Sequence, residues 1–146
     1  MQTFRMVRRF YRFPVVCCAL FFSVGCTNSD GPERFNLSGQ VTFDGKPIPA
    51  GQIRFSPDVD RGNQGPATIA KIKNGQYSTP TERGVIGGPT IVRIAGFDGV
   101  PIVEGVETLP EGTALFKPYQ IEVDLQKQSG TENFDVPKSA AKAGRR

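Results

Sequence analysis

The chain reads as an all-β protein, an antiparallel sandwich of about seven short strands. Three observations predict this. Apolar and polar residues alternate at period two in several separate stretches, the pattern of strands with one buried and one wet face. Turn dipeptides, above all Asp44-Gly45 and Asn74-Gly75, fall between those stretches. No segment carries the apolar spacing of an amphipathic helix of ordinary length.

Each element follows in order. Phe35, Leu37, Gly39, Val41 and Phe43 share one face of a first strand, and Asn36, Ser38, Gln40 and Thr42 share the other. Asp44-Gly45 turns the chain, and Lys46 to Gly51 is an extended connection restricted by Pro47 and Pro49. Ile53 and Phe55 mark a second strand that Pro57 ends, and Asp58 to Pro66 is a polar loop. Ala67 to Lys73 is a third strand, with Ile69 and Lys71 on one face and Ala70 and Ile72 on the other. Asn74-Gly75 then predicts a hairpin, because both residues tolerate positive φ, and Tyr77 points inward on the return strand Gln76 to Thr79.

Pro80 to Pro89 is a glycine-rich loop, and Thr90 to Phe97 is a strand. Asp98 to Pro118 holds glycines and prolines without clear periodicity; it is expected to lie over an end or edge of the sandwich with at most a helical turn. Tyr119, Ile121, Val123 and Leu125 alternate with Gln120, Glu122 and Asp124 in another strand. After Ser129-Gly130, Phe134 and Val136 face inward on the last strand.

The N-terminus carries an address. Arg5, Arg8, Arg9 and Arg12 precede an apolar run from Phe13 to Val24, which is shorter than the roughly 20 residues a spanning helix needs and suits a signal peptide. Ser23-Val24-Gly25-Cys26 resembles a bacterial lipobox, with Ser23 standing where Leu is usual. The resemblance implies cleavage before Cys26, a diacylglycerol thioether on its sulfur and acylation of its new amine. Each buried acyl methylene then adds about 0.8 kcal/mol of attachment. The expected divisions are a signal peptide over 1–25, a tether over 26–34, a β-sandwich domain over 35–137 and a disordered tail over 138–146.

Charge and cysteine usage fit that division. Of the 18 basic residues, the four arginines before Phe13 leave with the signal, so 14 basic residues face 14 acidic ones in what remains. No basic run suggests nucleic acid as a partner. Cys17 and Cys18 lie in the apolar run, which leaves Cys26 as the remaining cysteine and the folded part without a disulfide. The chain has no histidine, the commonest metal ligand and acid–base residue.

Ser38-Gly39-Gln40-Val41-Thr42-Phe43-Asp44-Gly45-Lys46-Pro47 through Ile53-Arg54-Phe55 resembles the opening of a carboxypeptidase-regulatory-like, or transthyretin-like, domain. Asn74-Gly75-Gln76-Tyr77 is similar to that family's Gly-x-Tyr hairpin, and Gly87-Gly88-Pro89-Thr90-Ile91-Val92-Arg93-Ile94 to the strand that follows it. The resemblance spans residues 36–97. It implies a seven-stranded antiparallel Greek-key sandwich of transthyretin-like or Ig-like type, and it brings no catalytic residues.

Candidate chemistry is sparse. Asp58, Asp60 and Asn63 place three oxygen side chains on one loop, a weak calcium candidate that Arg61 interrupts. Glu104, Glu107 and Glu111 are carboxylates on the long segment without a spacing that fixes them as an acid–base pair. Gly84-x-x-Gly87-Gly88 lacks the following helix that would cradle a phosphate. Phe35, Phe43, Phe55, Tyr77, Phe97 and Tyr119 are expected to point into the core. The expectation is a non-catalytic protein of the cell envelope, on its periplasmic or outer-surface side, without a cofactor and joined to the membrane through Cys26. It would bind or scaffold an envelope protein. The alternatives are a carrier of a glycan or small polar ligand at the sandwich end, and more remotely a hydrolase.

Overall fold

A computed structural model describes residues 31–142. Cys26 and the expected signal peptide lie outside the described residues. Eleven strands run in chain order: β1 Leu37–Phe43, β2 Lys46–Pro47, β3 Ala50–Pro57, β4 Thr68–Lys73, β5 Gln76–Ser78, β6 Gly88–Phe97, β7 Ile102–Glu104, β8 Glu107–Leu109, β9 Tyr119–Leu125, β10 Gly130–Thr131 and β11 Phe134–Val136. The fold is all-β. Its helical pieces are a 3-10 turn at Val59–Arg61 and the short helix α1, Ser139–Lys142. Among the described residues no helix is long and apolar enough to cross a membrane.

One curled sheet holds most of the strands, in the order β10-β1-β5-β4-β3-β6-β9, with β2 and β11 also paired to β1. β3, β4 and β5 adjoin in chain order, and β6 returns to the other side of β3. The two expected hairpins form. Asp44 and Gly45 join β1 to β2 with φ of 51° and 73°, and Asn74 and Gly75 join β4 to β5 with φ of 50° and 75°. Two consecutive positive φ values match the right-handed twist of the flanking strands.

The sheet is not antiparallel throughout. β10 and β11 run parallel to β1, with Leu37 opposite Gly130 and Val41 opposite Phe134. Both share one offset, so they are a single edge strand interrupted at Glu132 and Asn133. Asn133 bridges the gap by accepting Gln40 N–H on its side-chain oxygen at 2.8 Å. Parallel pairing here follows from the connection, since the chain crosses from β9 to the far side of β1 instead of turning back on its neighbour.

The core is filled from both curled halves by Val41, Ile48, Ile53, Phe55, Ile72, Val92, Ile94 and Val136. Phe55, Tyr77 and Phe134 form a ring cluster with centroids 5.7–6.2 Å apart, which ties β3, β5 and β11 together. On β4 the inward residues are Thr68, Ala70 and Ile72, so Ile69 is exposed. Phe97 does not point inward as expected. Thr90, Val92 and Ile94 fix the parity of β6, which puts Phe97 on the outer face. Phe116, unassigned in the sequence, is buried instead, against Phe43 at 5.0 Å and over Gly96. The expected disordered tail begins with α1, whose Ala140 packs on the core.

Candidate functional site

The loop proposed for a cation is used for backbone closure. Asp58 is buried, and its Oδ1 accepts Asp60 N–H at 3.1 Å to cap the 3-10 turn. Asn63 donates Nδ2 to Gly87 O at 3.2 Å and to Pro89 O at 2.7 Å, pinning the start of β6. Asp60 is exposed. Among the described residues no three His, Cys, Asp or Glu side chains gather as a metal site.

The segment between β6 and β9 is the least expected part of the structure. It has no helical turn. Instead β7 and β8 form a separate two-stranded hairpin, with Ile102 opposite Leu109 and Val103 opposite Thr108. Gly105, with φ of 64°, and Val106 make the two-residue turn; glycine first with positive φ is the type II′ pattern. The β-branched residues Ile102, Val103, Val106 and Thr108 favour extended backbone over helix.

Two-stranded ribbons are marginal in water unless something holds their base. Asp98 does so here. Its Oδ1 accepts N–H from Val100 and from Thr113, both at 3.0 Å, while Asp98 N donates to Thr113 O at 2.9 Å. Gly99 N donates to Glu111 O at 2.9 Å on the same latch. The hydrogen bond from Val100 is the main reason the Asp98 carboxyl sits below its ordinary pKa, with those from Thr113 adding to it. Gly112 packs against this carboxylate. A Cβ there would lie 2.0 Å from Asp98 Oδ1 and 2.4 Å from Val100 O, and its φ is 80°.

The hairpin displays apolar surface. Four of the six large hydrophobics exposed among the described residues are Val100, Val103, Val106 and Leu109. Val106 at the tip is fully exposed. Glu107 stands exposed beside it, and Glu111 lies at the base. Glu104 and Glu107 are register partners flanking the turn, while Glu111 lies beyond β8 at the base of the ribbon.

The chain enters at the opposite pole. Phe35 and Val85 exchange both backbone hydrogen bonds, at 2.9 and 2.8 Å, and Arg34 donates Nη1 to Gly84 O at 3.0 Å. This clamp sits by the first residues of β4 and β6, whereas the hairpin leaves from beyond Phe97 at the other end of β6. The ten residues of β6 separate the two poles by about 33 Å at roughly 3.3 Å per residue.

Two clefts flank the entry. A groove of about 480 Å³ is lined by Arg34, Thr68, Ile69, Pro80, Glu82 and Arg83. A smaller one of about 260 Å³ is lined by Pro32, Phe35, Asn63, Ile86 and Lys127 among others. The absence of a basic run in the sequence also misleads in one respect, since Arg54, Lys71, Lys73 and Arg93 share one outer face of the sheet. Neither a protein-family model nor a curated protein matches the chain.

Proposed function

We propose that this chain is a lipid-anchored protein of the cell envelope that performs no chemistry and binds an envelope protein through the β7–β8 hairpin. The observation that carries this reading is the polarity of the molecule. The tether side enters at Phe35, while exposed Val100, Val103, Val106 and Leu109 project from the other pole. Large apolar side chains clustered on one exposed ribbon of a folded protein suit a partner surface. An anchor at one pole would hold that surface away from the membrane.

The scaffold in this proposal is a transthyretin-like, seven-stranded Greek-key sandwich. Counting β10 and β11 as one interrupted strand and leaving out the two-residue β2 gives seven strands in the curled sheet. The order β6-β3-β4-β5, with the fourth strand returning beside the first, supports a Greek key. The anchor rests on the lipobox resemblance at Cys26. The lack of histidine favours binding over hydrolysis.

Two experiments test the proposal. Fatty-acid labelling of cells expressing the wild type and Cys26→Ser should mark only the wild type; equal labelling of both refutes the anchor. The wild type and a Val103→Lys/Val106→Lys double variant are then passed through envelope extract. A protein retained by the wild type and lost by the variant supports the hairpin as the binding surface. Identical retention by both removes it from that role.

A second reading, capture of a small polar ligand or glycan, is favoured by the Arg34–Arg83 groove of about 480 Å³. Its site would be the entry pole, with Thr68 and the two arginines as polar contacts.

A further inference from the structure

We infer that the outer face of β3, β4 and β6 binds a linear anionic polysaccharide, gripped by Lys71, Lys73, Arg54 and Arg93. The four cations are far apart in sequence and meet through strand register. Arg54 lies directly opposite Arg93 on one side and Ile69 on the other; Gln52 lies opposite Lys71, and Ala50 opposite Lys73. All four basic side chains are exposed.

The outward residues of these three strands are otherwise Ala50, Gln52 and Ser56 on β3, Ile69 on β4, and Pro89, Ile91, Ala95 and Phe97 on β6. None is a carboxylate. Arg54 donates Nε to Ser56 Oγ at 3.3 Å, and Arg93 donates Nη2 to Gln120 Oε1 at 3.0 Å. Both recorded partners are neutral, and a guanidinium has five N–H donors to offer. Like charges directly opposite across a sheet are unfavourable. An arginine pair in that register, with no acid between, is a standing demand for an external anion.

The neighbours of the cations select the ligand. Gln52, Ser56 and Gln120 lie among them and suit hydroxyl groups. Phe97 is the one outward aromatic on the three strands and sits at the far end of β6, so the face lacks the stacking platform that single-stranded nucleic acid uses. Glu122 and Asp124 are exposed on β9, the next strand after β6. A flat anionic bilayer pressed on this face would meet those acids, whereas a narrow polymer running from Lys73 past Arg54 to Arg93 avoids them. The strip also runs into the Arg34–Arg83 groove, because Ile69 borders both; Glu82 is the one carboxylate among the described residues that line that groove. This inference is independent of the hairpin reading.

The test uses the full chain in detergent with polygalacturonate as the probe, neutral dextran as the uncharged polymer and phosphatidylglycerol vesicles as the bilayer. Polygalacturonate should bind at low ionic strength and release as salt rises, with dextran unbound. Arg54→Gln/Arg93→Gln and Lys71→Gln/Lys73→Gln should each weaken binding by about tenfold or more, while Lys117→Gln/Lys127→Gln, equal in charge change, stays within about twofold. Equal weakening by the control pair would reduce the effect to net charge and overturn the site. No polygalacturonate binding, or vesicle binding through the same residues without polymer binding, would overturn it as well.

Discussion

Tyr77 donates its phenol O–H to the backbone carbonyl of Glu132 at 2.9 Å, through the space that a side chain on Gly39 would fill. Tyr77 and Gly39 are register partners on β5 and β1, and a Cβ on Gly39 would lie 1.9 Å from Glu132 O. The missing side chain therefore lets the interrupted edge strand cross β1 closely. The tyrosine locks that crossing while its ring packs on Phe55 and Phe134.

Gly39→Ala should destabilise the protein by about 1–3 kcal/mol, because the atom that must move is backbone. Tyr77→Phe should cost about 1 kcal/mol, the net worth of one hydrogen bond. Denaturant midpoints measured on both variants check the order of the two effects.

Tyr77 also sets a limit in alkali. Burial raises its pKa above the ordinary 10.0, and the charge of Glu132 adds to the rise. A raised pKa contributes stability that is intact below the unfolded value and is lost as pH rises above it. Stability should therefore fall above pH 10, the ordinary value, and tyrosinate absorbance from Tyr77 should appear only with unfolding. In Tyr77→Phe the alkaline slope should flatten; an unchanged slope would assign it to other groups.

The latch under the hairpin has the opposite dependence. The depressed carboxyl of Asp98 contributes order that is complete above the ordinary value of 3.8 and is lost as pH falls through the lower folded value. Hydrogen exchange in residues 99–113 should speed up in that acid range while the core strands stay protected. Asp98→Ala and Gly112→Ala should produce the same local opening at neutral pH.

Arg93→Glu should raise stability by about 0.2–1 kcal/mol, since it turns an opposed arginine pair into an ion pair across β3 and β6. The same substitution should abolish binding of polygalacturonate. A thermal melt beside a binding titration separates the two effects.

Much of the scaffold was legible in the residues themselves. Tyr119 to Leu125 alternates cleanly and forms a strand with those bounds, and Asp44-Gly45 and Asn74-Gly75 turn as their chemistry demands. What escaped depended on distant partners. Phe97 faces out because its neighbours on β6 set the parity, and Phe116 lies in a segment without periodicity yet finds the space over Gly96. The hairpin at Ile102–Leu109 is short and carries exposed apolar residues on strands that bury little, so its pattern resembles a loop. The cationic face joins residues from three strands and has no linear trace.

The hairpin as partner surface is the central claim, and crosslinking in intact cells tests it most directly. A photoreactive amino acid is placed at Val106 on the tip, or at exposed Gln128 by the entry pole as the control. The account predicts an adduct with one envelope protein from position 106 and none from 128. No adduct at 106, or the same adducts from both positions, would contradict it.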